Sequence, residues 1–334
     1  MHKKMLNIPP LLVAFFTTFI GNSFAKDATS PISQVPSSKA ISHLLNDASL
    51  VSTQGREIEV IGFDALNAHR QVVEPSFRFL IQGGLHGNET QTTQFVTWLA
   101  LRYARGESLL NKFAEEHVGF DFLPIANPDG FQENQRFNNQ GVNLNRNFGV
   151  LWGVTKENPG KSTFSESETK AIKALFAKRR YTAAVDVHGY INWIVAPSEP
   201  SAVAKGGFKP SLQRMADYLK WTSNLKEEMR VLTGYQLKTG AGLGDGGAFE
   251  DWAFWSQGAF AFCLEMETFQ RYVPSYRGDY SNRGTEVKAA THIDLFRRYE
   301  AFIARMFAKS IELKKNRPFS NEAPQVSSVT NWPR

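Results

Sequence analysis

The chain has 334 residues with 26 Phe and 7 Trp, enough apolar mass for one large domain or two small ones. Its formal charge of +6 is spread among interspersed acids and bases, with no block of one sign, which argues against an extended nucleic-acid surface. Cys263 is the only cysteine, so no internal disulfide can form and the fold must rest on its core.

Residues 1–25 read as a secretory signal peptide. Lys3 and Lys4 form the charged start, residues 11–20 the apolar core, and Ser23-Phe24-Ala25 a small-x-small cleavage site. The apolar run falls short of the roughly 18–20 residues needed to span a bilayer, so a secreted or periplasmic product without a membrane anchor is expected. Residues 26–45 are rich in Ser, Pro and Thr in their first half and are expected to be a flexible leader. A single folded domain is expected over 46–316, followed by a polar tail at 317–334.

Strands are expected at 58–63 and 77–82. The turn Gly83-Gly84-Leu85-His86-Gly87-Asn88-Glu89 follows, placing His86 and Glu89 where both can point at one metal ion. Taken alone this pair is a weak metal signal and more often marks a helix start with an acid at the positive end of the dipole. Val96, Leu99, Ala100 and Tyr103 then mark a helical stripe. A strand at 118–125 leads into a polar loop at 127–149. Ser165 to Glu168 has the form of a capping box, opening a helix that buries Ile172, Leu175 and Phe176. A strand at 182–187 delivers His188. A Gly/Pro-rich segment at 190–210, a helix to about 232 and a mobile glycine loop at 240–247 come next. A strand at 260–264 holds Cys263 as a small core residue and ends at Glu265. Phe296, Tyr299, Ile303 and Met306 mark a closing helix.

Strands alternating with helices imply an α/β domain with a mixed, mostly parallel sheet and helices on both faces. In such sheets sites gather beyond the carboxyl ends of strands. Glu89, Asn127, His188 and Glu265 each lie just after an apolar strand-like run, which points to one shared site.

His86-x-x-Glu89, Asn127-Pro128-Asp129-Gly130, Arg136, the segment Gly141 to Phe148 with Asn145-Arg146, His188-x-Tyr190 and Leu264-Glu265 occur in that order. The ordered set resembles the zinc metallocarboxypeptidase family, carboxypeptidase A/B-like, over about residues 51–309, and looks most similar to short bacterial members acting on cell-wall peptides. The resemblance implies one Zn²⁺ held by His86, Glu89 and His188, the His₂Glu set of a catalytic zinc site. It implies Glu265 as the catalytic base and Arg136 as the group polarising the scissile carbonyl. Asn145 and Arg146 would grip the substrate's terminal carboxylate, and Tyr190 would contact substrate. Glu250, beside Asp251-Trp252, falls where the family places the base of the side-chain pocket. An acid there would pair with Lys, Arg or the side-chain amine of meso-diaminopimelate. The family's mobile tyrosine has no counterpart in Gly240 to Asp245, and Tyr235 lies too early.

The function expected from these residues is hydrolysis of murein peptides at the γ-D-glutamyl–meso-diaminopimelate bond. A carboxypeptidase for C-terminal Lys or Arg is the alternative. A zinc acylamino-acid deacylase stands further off because Asn145-Arg146 and Leu264-Glu265 follow the peptidase pattern, and a peptide-binding pseudo-enzyme because no zinc ligand and no catalytic glutamate is missing.

Overall fold

The computed structural model describes residues 40–44, 50–65, 71–155, 157–267 and 289–316. The expected signal peptide, most of the expected leader and the expected tail lie outside the described residues. Eight strands form one sheet: β1 (Ala40–Leu44), β2 (Ile61–Ala65), β3 (Phe77–Gly83), β4 (Val118–Leu123), β5 (Ala183–Gly189), β6 (Trp193–Ala196), β7 (Gln236–Thr239) and β8 (Phe260–Met266). Their order is β1-β2-β4-β3-β5-β8-β6-β7. The centre, β4-β3-β5-β8, is parallel, while β1-β2, β2-β4 and β6-β8 pair antiparallel. Residues 40–44, counted in sequence with the leader, are thus the outermost strand.

The central strands are buried on both faces and read as near-continuous apolar runs, as a covered parallel sheet requires. On one face lie α1 (Thr90–Arg105), α5 (Leu212–Glu228) and α7 (Ala289–Lys315). Val96, Leu99, Ala100 and Tyr103 of α1 are buried there, and so are Phe296, Tyr299, Ile303 and Met306 of α7. Phe307 stacks on Phe79 of β3 at 4.2 Å between ring centroids, a contact worth roughly 0.5–1.5 kcal/mol beyond its area. Trp221 of α5 packs on Phe260 and Phe262. Near the sheet's other face, Phe176 of α3 (Ser167–Arg179) meets Phe249 and Trp252. Two short helices, α2 (Pro128–Gln132) and α4 (Pro200–Lys205), lie in the connections, and α6 (Phe249–Asp251) runs into one π-turn, Trp252–Ser256.

Three local expectations are corrected. Ser165 does not cap α3: its hydroxyl donates to Glu166, and Glu168 accepts instead from Thr53 N–H and Asn138. The segment 190–210 holds β6 and α4. The glycine loop at 240–247 is packed rather than free at its end, where a Cβ on Gly247 would stand 2.2 Å from the Arg146 carbonyl oxygen and one on Gly246 2.3 Å from that of Leu151.

Candidate metal and substrate site

The site lies beyond the carboxyl ends of β3, β5 and β8. β3 ends at Gly83, and the turn that follows carries His86 and Glu89 into the start of α1. Gly87 lets that turn lie against α2, since a Cβ there would be 2.0 Å from the Gly130 carbonyl carbon. β5 brings His188, whose partner in the neighbouring strand β8 is Glu265.

His86, Glu89 and His188 are buried, each with one ligand atom within 4.8 Å of the others. His86 Nδ1 stands 2.8 Å from Glu89 Oε1, and His188 Nδ1 stands 3.1 Å from Glu89 Oε2. The two Nδ1 atoms are 3.0 Å apart. Each ring's far nitrogen faces an oxygen: His86 Nε2 donates to Asn143 Oδ1 at 3.0 Å, and His188 Nε2 donates to Asp186 Oδ2 at 2.7 Å. Those partners place a proton on both Nε2 atoms and turn both Nδ1 lone pairs inward. Two inward lone pairs and a carboxylate on one point form an acceptor-rich centre that calls for a cation. Imidazoles whose outer N–H is held by an oxygen are the arrangement that orients zinc ligands. The donor set therefore fits Zn²⁺.

Before a metal binds, the three ligands differ in charge state. Burial, then the Arg136 guanidinium, pushes the His86 imidazole down to about 3, so it is neutral. Burial works to lower His188 as well, but the Asp186 and Glu89 carboxylates outweigh it and hold it well above its ordinary value. Burial works to raise Glu89, and both imidazoles together keep it well below the usual carboxylate range. The carboxylates thus hold a proton on His188, and a metal ion taking Nδ1 displaces that proton.

Arg136 reaches the centre from the loop, with Nη1 3.0 Å from His86 Nδ1 and 3.2 Å from Glu89 Oε1. Glu265 is raised to about 7, first by burial, with Glu89 and Asp186 adding to it and His188 and Arg136 opposing. Its Oε2 is buried without a hydrogen-bond partner. Glu267, the other acid at this strand end, pairs with Arg298 at 3.3 Å instead. The Tyr190 hydroxyl lies 3.5 Å from Gln91 N–H at the start of α1.

Asn145 and Arg146 sit on a 3-10 turn, Leu144–Arg146, opened by Asn143. Asn143 Oδ1 accepts from both His86 and Asn145 N–H, so one side chain ties the metal ligand to this loop. Asn145 Oδ1 accepts from Phe249 N–H at 2.8 Å, which ties the loop to α6 and Glu250. Arg146 Nη2 is paired with Asp245 at 2.5 Å and with Glu157 at 3.1 Å. Glu250 is 2 % exposed, and its Oε2 has no hydrogen-bond partner. Burial first, then Asp251, Asp186 and Asp245, push its carboxyl well above the ordinary value. Asp251 is satisfied by Ser198 N–H and hydroxyl at 2.5 and 2.8 Å.

Of the nine residues singled out in sequence, His86, Glu89, His188 and Arg136 are in contact, Glu265 is the partner of His188 on β8, and Asn145, Arg146, Tyr190 and Glu250 lie on the adjoining segments. Tyr235 does not join them: its hydroxyl donates to Tyr299 at 2.8 Å and accepts from Glu267 N–H. Asn143 and Asp186, which hold the two imidazoles, carry no role in the sequence analysis. Asp186 could have been found, because residues two apart on a strand share a face with His188; Asn143 carries no such signal.

Residues 49–279 match the family model described as zinc carboxypeptidase. Carboxypeptidase SOL1 of Arabidopsis thaliana is 29 % identical over 120 residues, covering 35 % of this chain and 23 % of that protein. A protein of Ajellomyces capsulatus named inactive metallocarboxypeptidase ECM14 is 26 % identical over 195 residues, covering 49 % and 32 %. The matched stretches thus span under a third of those two relatives. Among solved structures, carboxypeptidase A from Helicoverpa armigera superposes with a TM-score of 0.56 at 20 % identity, covering 83 % of this chain and 70 % of that one. A metallo-carboxypeptidase from Burkholderia cenocepacia gives 0.53 at 18 %, covering 82 % and 66 %. These likenesses agree with the fold, and the family match covers most of the sequence. The chain belongs to the zinc carboxypeptidase family.

Proposed function

We propose that this protein is an exported zinc-dependent carboxypeptidase that removes a C-terminal residue bearing a cation, with the γ-D-glutamyl–meso-diaminopimelate bond of murein peptides as its target. The observation that carries the specificity is Glu250: a buried carboxylate with an orphaned oxygen and acidic neighbours is costly unless a cation completes it. Lys and Arg at a peptide C-terminus offer that cation too and form the second reading.

Zn²⁺ held by His86, Glu89 and His188 would lower the pKa of a water toward about 7 and polarise the scissile carbonyl. Arg136 donates to the carbonyl oxygen as its charge grows, and one such donor is typically worth about 10²–10³ in rate. Glu265 takes a proton from the attacking water and passes it to the leaving nitrogen, a role suited to a carboxyl raised to about 7. Arg146 receives the terminal carboxylate, where a guanidinium fork binds better than an ammonium. Asn143 and Asp186 hold the two imidazoles in the ligating tautomer.

Export is supported by Lys3 and Lys4, the apolar run at 11–20 and Ser23-Phe24-Ala25; an N-terminus beginning after Ala25 in the protein recovered outside the cytoplasm tests it. The activity is tested by mass spectrometry of a muropeptide tripeptide and of a peptide ending in Arg, each incubated with zinc-loaded protein. Release of diaminopimelate alone supports the murein reading, and release of Arg alone selects the second. No release from either, with zinc bound, removes the carboxypeptidase reading and brings forward the deacylase and the peptide-binding pseudo-enzyme.

A further inference from the structure

The arginine expected to receive a substrate carboxylate already holds one. Arg146 is 7 % exposed, and its Nη2 is 2.5 Å from Asp245 Oδ1. Its Nη1 donates to the Asn145 carbonyl, and its Nε is buried without a partner. Glu157 Oε2 also reaches Nη2 at 3.1 Å, but that side chain is 42 % exposed and water satisfies it when released. Asp245 is the more enclosed: its side chain is 26 % exposed, Arg146 is the cation that acts on it most, Glu157 opposes, and Arg136 and His188 act on it less than Arg146 does. A substrate carboxylate that takes Arg146 removes the strongest of Asp245's cationic partners and sets a second anion beside it, and a partly buried anion short of its partner is costly.

We infer that Asp245 is a specificity-determining residue that exchanges partners. It pairs with Arg146 in the free protein and with the cationic side chain of the C-terminal residue once that residue's carboxylate occupies Arg146. Glu250 alone would reward a cation; Asp245 also penalises its absence. A ligand bringing both charges completes both ends of the broken pair, whereas a ligand with an apolar side chain breaks the pair and mends half of it. Discrimination against the unwanted partner arises from the group left unpaired. The inference deepens the proposed specificity and rests on Arg146 as the carboxylate receptor.

Calorimetric titration of the zinc-loaded protein with N-acetyl-L-arginine and with N-acetyl-L-leucine tests it, since the readout is equilibrium affinity and needs no turnover. Asp245→Asn is expected to tighten the leucine ligand and weaken the arginine ligand, so that their affinity ratio falls by about tenfold. Asp245→Glu, which keeps the anion, is expected to retain a ratio within about threefold of the parent protein. A ratio unchanged in Asp245→Asn overturns the inference, whether both ligands tighten (competition without recognition) or both weaken together (support of the loop only). Muropeptide and Arg-peptide hydrolysis, measured separately, decides the reaction; its absence leaves the affinity ratio to decide Asp245.

Discussion

The two ends of the same parallel sheet are built from buried charge in opposite ways. Toward the amino ends of β3 and β5, two arginines meet two aspartates. Asp121 accepts from Arg78 at 3.3 Å, from Arg179 at 2.8 and 3.0 Å and from the Tyr181 hydroxyl at 2.7 Å; Asp64 accepts from the same arginines at 2.5 and 3.1 Å. Gly119 makes room for this, since a Cβ there would be 2.9 Å from the Arg78 guanidinium carbon. Toward the carboxyl ends, Asp186 Oδ1, Glu250 Oε2 and Glu265 Oε2 have no hydrogen-bond partner, whereas the group left without one at the amino ends is a donor, Arg78 Nε. A balanced network is a structural tie. Buried groups left short of partners with displaced pKa values mark the end that awaits ligands.

Removal of a metal ligand should divide the two ends most sharply. His188→Ala is expected to abolish zinc retention and hydrolysis while the protein stays folded, read by metal analysis and circular dichroism. Loss of the fold with zinc retained would erase the distinction. Glu265→Gln should keep full zinc occupancy and cut kcat by about 10²–10⁴. In the parent enzyme kcat/KM should fall as pH drops through an acidic limb at or below about 7, because the base must be ionised and bound zinc adds to the groups lowering it. A limb that persists unaltered in Glu265→Gln belongs to another group. At the opposite end, Asp121→Ala strips two arginines of their shared anion and should cost roughly 3–5 kcal/mol in denaturant unfolding without changing zinc stoichiometry.

The smallest effect has the opposite sign. Glu250 binds its proton more tightly folded than unfolded, so it lowers stability as pH rises from its unfolded value, near 4.3, through its folded one. Glu250→Gln should therefore raise the Tm at pH 8 by a few degrees, roughly 2–4 °C per kcal/mol, with the gain vanishing at pH 4. It should also weaken selection for a cationic C-terminal residue.

The metal ligands were legible because each sits where a strand ends, and His86 and Glu89 are local to one turn. The central strands were legible as mainly apolar runs, because residues 77–83 and 183–189 are buried on both faces. Asn143 was not, because it meets His86 across 57 positions and an asparagine in a polar loop resembles any turn residue. The capping pattern at Ser165 misled because tertiary partners, Thr53 and Asn138, outbid the local one for Glu168. β6 is only four residues long, too short for a period to declare itself.

The pairing of His188 with Glu265 across adjacent strands has a consequence for how the chain tolerates change. The spacing between His188 and Glu265 is set by the gap between neighbouring strands, about 4.8 Å, and not by any loop. Loops around the site can lengthen or shorten while that distance stands. A single residue deleted from the stretch between Ala259 and Leu264 would do what no loop change does: shift β8 by one register step and turn the glutamate to the far face, leaving an intact metal cradle with no acceptor beside it.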